Sequence, residues 1–246
     1  MNKRTAVVTG GIGGLGTAIC IALARAGRRV VAADLGGDPA RVAAFERQVE
    51  GLDVRFAALD VTDFEACGAL VRELEASHGS LDVLVNAAGI TRDTTLRKME
   101  RAQWDAVLSV NLDSVFNLCR HAVDGMSARG FGRIVNISSV NGQTGQFGQT
   151  NYSAAKAGMH GFTMALAREV ARKGVTVNSV SPGYCETALV AAIPDDIRQG
   201  IVERVPVGRL GHPDEIARTV AFLGADEAGY ITGANIPVNG GLYMGF

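Results

Sequence analysis

The stretch Ala6-Val7-Val8-Thr9-Gly10-Gly11-Ile12-Gly13-Gly14-Leu15-Gly16 decides the fold. It opens on a short apolar run with two β-branched residues that stops at Thr9-Gly10, which reads as a buried parallel strand. Five of the seven residues from Gly10 to Gly16 are glycine, where a plain tight turn needs one or two. Gly11, Gly13 and Gly16 fit G-x-G-x-x-G, and Gly10, Gly14 and Gly16 fit G-x-x-x-G-x-G. A helical run follows to Ala26-Gly27. Strand, glycine loop and helix together make a dinucleotide site, because the backbone can approach a pyrophosphate that sits on the N–H groups opening the helix. Gly10, Ile12, Gly13, Gly14, Leu15 and Gly16 are the candidate contacts. No Gly-Lys-Ser/Thr follows, so this is not a P-loop.

The same alternation continues outward. Arg29–Ala33, Val54–Leu59, Val83–Asn86, Ile134–Ile137, Val175–Val180 and Asn235–Val238 read as strands, separated by helical patterns. The expected fold is a single-domain, Rossmann-like, doubly wound parallel sheet of about seven strands, with helices on both faces. No linker, repeat or charge block divides residues 1–246. The one long stretch without a clear element, about 183–213, is expected to be a substrate lid.

The strand ends carry polar residues. Asp34 ends the second strand, 18 residues after Gly16. A carboxylate there accepts both ribose hydroxyls of an adenosine and repels a 2′-phosphate, which favours NADH over NADPH. The bland alternative is an N-cap for the next helix. Leu35-Gly36-Gly37 supply no guanidinium, and Arg41 stands far along the chain. Asp60, with Val61, ends the third strand and can meet the adenine. Asn86-Ala87-Ala88-Gly89 ends the fourth with small residues that let a flat ring lie against the backbone.

Composition limits the rest. Apolar residues make up 47% and charged residues 20%, as in globular proteins, and the net charge of −1 recruits neither nucleic acid nor a membrane surface. No apolar run approaches 18 residues, and the apolar run near the N-terminus is too short for a signal-peptide core. Cys20, Cys67, Cys119 and Cys185 are widely spaced, and the histidines show no ligand spacing. We expect free thiols, no metal site and a cytoplasmic location.

Between the fifth and sixth strands, Ser139 to Lys156 reads S-V-N-G-Q-T-G-Q-F-G-Q-T-N-Y-S-A-A-K. Tyr152 and Lys156 are four residues apart, on one face if a helix starts near Asn151. A hydroxyl at a strand end, a polar loop, and a phenol near an ammonium suit proton transfer to an oxygen. A solvated loop with a surface Tyr and Lys is the alternative from these residues alone.

Together these motifs resemble the short-chain dehydrogenase/reductase family. The matching pieces are Thr9–Gly16, Asp60, Asn86–Gly89 (N-A-A-G, where N-N-A-G is usual), Asn111, Ser139, Tyr152–Lys156 and Pro182-Gly183. They span the chain. Within the family the chain resembles in particular the bacterial acetoacetyl-CoA reductases of polyhydroxybutyrate synthesis. Gly89–Asp93, Arg97–Met99, Ser139–Gln143, Gly145–Tyr152 and Asn239–Leu242 carry that likeness. NADPH-using members usually lack an acid where Asp34 stands, and Cys185-Glu186 replaces commoner small or apolar residues.

The resemblance implies reduction of a 3-keto thioester. Tyr152 is the acid, Lys156 lowers its pKa, Ser139 binds the substrate oxygen, and Asn111 holds a water that reconnects Lys156 to solvent. Pro182, Gly183 and Thr187 join Tyr152 and Lys156 at the nicotinamide. Asp93, Lys98, Ser139, Gln146, Phe147, Gln149 and Tyr184 are the candidate acyl-CoA contacts. A homotetramer is implied, with residues 101–126 and 152–171 and the C-terminal segment at interfaces. A 3-oxoacyl carrier-protein reductase and a non-catalytic nucleotide-binding subunit remain as alternatives.

Overall fold

The structure, a computed structural model, describes residues 3–187, 190 and 195–245. Seven strands form one sheet in the order β3-β2-β1-β4-β5-β6-β7. They are β1 Thr5–Thr9, β2 Arg29–Asp34, β3 Val54–Ala58, β4 Val83–Asn86, β5 Gly132–Ile137, β6 Val175–Pro182 and β7 Asn235–Val238. Every pairing is parallel, with Ala6 of β1 beside Val30 of β2 and Val83 of β4. All seven expected strands are present.

The helices are α1 Gly14–Arg25, α2 Pro39–Gln48, α3 Phe64–His78, α4 Arg101–Leu108, α5 Ser114–Ala128, α6 Asn141–Thr144, α7 Thr150–Val170, α8 Asp195–Arg204 and α9 Pro213–Leu223. Side chains alternate across the sheet, so Val7, Val31, Leu84 and Ile134 pack under α3, α5 and α7. Ala6, Val8, Val30, Val83 and Val135 pack under α1, α2 and α9. Burial on both faces explains why the central strands read as unbroken apolar runs.

Two helical features differ from the sequence expectation. The pattern from Arg101 to Met126 reads as one amphipathic helix, but a π-helical turn at Ser109–Asp113 divides it into α4 and α5. Within this turn Asn111 Nδ2 donates to Val107 O at 2.9 Å, and just after it Ser114 Oγ donates to Val110 O at 2.7 Å. These side chains compete with the backbone for its carbonyls. The second feature is α6, hidden in sequence because its Asn-Gly-Gln-Thr composition carries no apolar period. Of the stretch expected as a lid, residues 188–189 and 191–194 lie outside the described residues.

The connections leave β1 in opposite directions, outward through β2 and β3 and then back to β4. A crevice opens at such a reversal, beyond the carboxyl ends of the strands.

Candidate active site

The residues at the carboxyl ends of β1 to β4 line one cleft of about 380 Å³. Its walls include Gly10, Gly13, Gly14, Leu15 and Gly16 from the first loop, Asp34, Asp60 with Val61, and Ala87 to Gly89. The glycines are demanded by space. A Cβ on Gly16 would collide with Gly10 O, and one on Gly10, at φ +65°, would lie 2.9 Å from Ala87 O. Thr187 closes the loop from above, its Cβ 3.5 Å from the place a Gly14 Cβ would take. This bare backbone cradle at the start of α1 fits a pyrophosphate.

Asp34 lies at the far end. The capping role belongs to Asp38, whose Oδ1 accepts from Ala40 N and Arg41 N to start α2. Asp34 is thereby left to the cleft, where it accepts from Ile12 N at 3.3 Å and Leu35 N at 2.8 Å. Arg41 is nearer than its sequence separation implies. One turn of α2 brings its guanidinium within 3.6 Å of Asp34 Oδ2. Asp60 forms a local turn with Thr62 N and Oγ1, and Asp63 caps α3.

Asn86 does not face the cleft. Its Nδ2 donates inward to Asn136 Oδ1 at 2.8 Å, and it is 3% exposed. The loop after it is fixed by Thr9, whose buried Oγ1 accepts from Ala87 N and Ala88 N at 3.0 and 3.1 Å. That function of Thr9 had no signal in the sequence beyond its place before the glycines.

Beside Gly89 the chemistry converges. Lys156, 3% exposed, donates from Nζ to Ile137 O at 2.7 Å, and Nζ lies 5.6 Å from the Tyr152 ring centroid. A Cβ on Gly89 would lie 2.7 Å from Asn111 Oδ1 and 3.6 Å from Lys156 Nζ, so both atoms flank one backbone position. Asn111 Nδ2 is satisfied by Ile90 O and Val107 O, but its buried Oδ1 has no partner among the described residues. A water or a ligand hydroxyl satisfies such an acceptor.

The electrostatics differ from the sequence expectation. Burial pulls Lys156 down to about 7. Burial also pushes the Tyr152 phenol above its ordinary value, with Asp93 and Tyr184 adding to the rise and the neighbouring Ser139 hydroxyl opposing it. The resemblance implied a lysine that lowers the phenol. In the protein by itself desolvation is the largest influence on the half-buried phenol.

Of the expected substrate residues, Ser139, Asp93 and Tyr184 lie near enough to Tyr152 to affect its ionisation. Phe147 is 87% exposed, and Gln146 beside it is half-buried. Gln149 and Asp93 are bonded to each other at 2.7 Å. Lys98 ends a 3₁₀ turn, Leu96–Lys98, and is exposed to solvent. Gly183 and Tyr184 line a second pocket of about 100 Å³ with Val205, Arg209 and Asn239, while Pro182 ends β6. Tyr184 still stands near enough to Tyr152 to affect its ionisation. Two further residues fix the helix segment that carries Tyr152 and Lys156. Fully buried Asn151 accepts from Tyr152 N at 2.8 Å and donates to Arg92 O and Gln103 O, and Ser138 Oγ bonds Lys156 O.

The four cysteines are free and buried, with thiols pushed up to about 12 for Cys20, Cys67 and Cys119 and about 11 for Cys185. Among the described residues no cluster of His, Cys, Asp and Glu is arranged to hold a metal, and no helix is long and apolar enough to cross a membrane.

A glycine cradle, an acid at the end of β2 and a Ser-Tyr-Lys group at one crevice define a nicotinamide-dependent oxidoreductase. Residues 10–243 match the family model described as enoyl-(acyl carrier protein) reductase, and the chain belongs to the short-chain dehydrogenase/reductase family. The chain is 58% identical over 246 residues to an acetoacetyl-CoA reductase of Allochromatium vinosum, covering 98% of this chain and 99% of that protein. It is 55% identical over 246 residues to that of Cupriavidus necator, covering 100% of both. It is 44% identical over 241 residues to the 3-oxoacyl-[acyl-carrier-protein] reductase of Escherichia coli, covering 98% of each.

Proposed function

We propose that the protein reduces acetoacetyl-CoA to (R)-3-hydroxybutyryl-CoA with NADH, supplying polyhydroxybutyrate synthesis. The observation that carries this is the convergence beside the dinucleotide cleft of Ser139, Tyr152, Lys156 and an Asn111 Oδ1 with no partner among the described residues. The names of the relatives at 58% and 55% identity support the substrate.

The cofactor's bare pyrophosphate fits Gly10 to Gly16, its adenosine fits Asp34, Asp60 and Val61, and its nicotinamide half fits Ala87 to Gly89, Pro182, Gly183 and Thr187. When bound it supplies the hydride. The protein supplies the proton. Ser139 donates to the carbonyl oxygen as charge develops there. Tyr152 gives its proton to that oxygen. Lys156, half-protonated near neutrality at its value of about 7, restores the proton through a water on Asn111. Phe147, Gln146 and Tyr184 border the thioester, Lys98 meets the CoA phosphates, and Asp93 and Gln149 stand at the same rim.

Asp34 sets the cofactor. Arg41 forms a loose ion pair with it at 3.6 Å, and a 2′-phosphate there meets the Asp34 carboxylate. We expect kcat/KM to favour NADH over NADPH by at least about tenfold, or ~1.4 kcal/mol. Asp34→Ala should erase that preference. A wild type that favours NADPH by the same factor shows Asp34 misread. Acetoacetyl-CoA that leaves NADH oxidation at the buffer rate refutes the activity. Faster turnover of carrier-protein than CoA thioesters would reassign the substrate to fatty-acid synthesis. The remaining parts of the reading are a homotetramer, a cytoplasmic location and one domain with a lid over 183–213.

A further inference from the structure

The loop between Ser139 and Tyr152 is held by a chain of side-chain bonds. Asn141 Nδ2 donates to Gln149 Oε1 at 2.9 Å, and Gln149 Nε2 donates to Asp93 Oδ2 at 2.7 Å. At the inner end the backbone N–H of Asn141 donates to Ser139 Oγ at 3.1 Å. A backbone bond, Thr94 N to Gly148 O at 2.9 Å, runs alongside.

Chemistry fixes the direction of this chain. An ionised carboxylate only accepts, so Gln149 turns its NH₂ to Asp93 and its oxygen to Asn141. Both ends of the Gln149 amide are then engaged. Only the second N–H of its NH₂ is left over. Asn141 is 8% exposed and opens α6, a helix of four residues with little stability of its own. Its side chain needs an outside anchor, and Gln149 is that anchor. Because Ser139 Oγ accepts from Asn141 N, the Ser139 proton is left to point outward, toward Tyr152 and the substrate oxygen.

We propose that Gln149 is a positioning residue: through Asn141 it holds the Ser139 hydroxyl in its donating orientation. This rests on the reductase reading above. Small displacements of such a donor weaken transition-state stabilisation while leaving ground-state binding alone.

The test measures kcat and KM for acetoacetyl-CoA with NADH. Gln149→Ala should lower kcat about fivefold, the equivalent of one net hydrogen bond, with KM nearly unchanged. Gln149→Glu sets a second carboxylate against Asp93 and should lose at least as much. The pair Asp93→Asn with Gln149→Glu should recover kcat. The new amide then donates to the new carboxylate, which still accepts from Asn141, and the net charge matches the wild type. In a Ser139→Ala background, Gln149→Ala should have no further effect on kcat. NADH titration across the set, expected unchanged, shows that the variants are folded. If Gln149→Ala itself misfolds, the charge-exchanged pair carries the test. A raised KM at constant kcat, failure of the pair to recover, or a full Gln149→Ala effect without Ser139 overturns the positioning role alone. A wild type inert toward every acyl thioester refutes the reductase reading and this role with it.

Discussion

Replacing Lys156 with methionine should make the protein more stable and inactive. The Lys156 side chain is 3% exposed, and its only bond among the described residues is to Ile137 O. Burial lowers its pKa from 10.5 to about 7. The folded value lies below the unfolded one, so between them the folded chain binds fewer protons and stability rises with pH. The penalty is fully present below about pH 7 and shrinks as pH climbs toward the unfolded value. Its ceiling is the shift of about 3.5 units, or about 5 kcal/mol at 1.36 kcal/mol per unit. Methionine keeps the length and removes the charge, but leaves Ile137 O unpaired, which costs about 1–3 kcal/mol. The net gain at pH 6 is therefore about 2–4 kcal/mol. By pH 9 the penalty falls to about 2 kcal/mol and the gain vanishes. Urea unfolding of wild type and Lys156→Met at fixed protein concentration, at both pH values, measures this. A variant less stable at pH 6, or a difference that does not change with pH, would refute the account of Lys156 as a buried, destabilising base kept for chemistry.

Other outcomes follow from the same geometry. Gly16→Ala places a methyl into Gly10 O, so NADH binding measured by fluorescence should be lost and stability should drop by about 1–3 kcal/mol, despite the better helix propensity of alanine. Gly89→Ala drives a Cβ to 2.7 Å from Asn111 Oδ1 and should lower kcat more than it weakens NADH binding. With thiols at about 11 to 12, the native protein at pH 8 should resist a thiol reagent that titrates all four cysteines in denaturant.

The fold was legible because parallel strands buried on both faces leave unbroken apolar runs, each followed by a helical period. Asp34 was legible as a strand-end acid, but only the structure shows Asp38 taking the cap and Arg41 folding back to pair with it. The Tyr152–Lys156 spacing placed the two side chains on one face. It carried no information on burial, which raises the phenol pKa in the protein by itself. The break between α4 and α5 escaped because it depends on where the Asn111 amide goes. Thr9, Asn141 and Asn151 escaped for a similar reason: each acts through a hydrogen bond to a residue distant in sequence or to a loop backbone, which no local pattern records.

The most direct test of the central claim is Tyr152→Phe, which removes one oxygen and keeps the ring. We expect NADH oxidation with acetoacetyl-CoA to fall by about 10²–10⁴, the usual contribution of a positioned acid, while NADH binds as in the wild type. Turnover within a factor of a few of wild type would remove Tyr152 as the proton donor and the proposed mechanism with it.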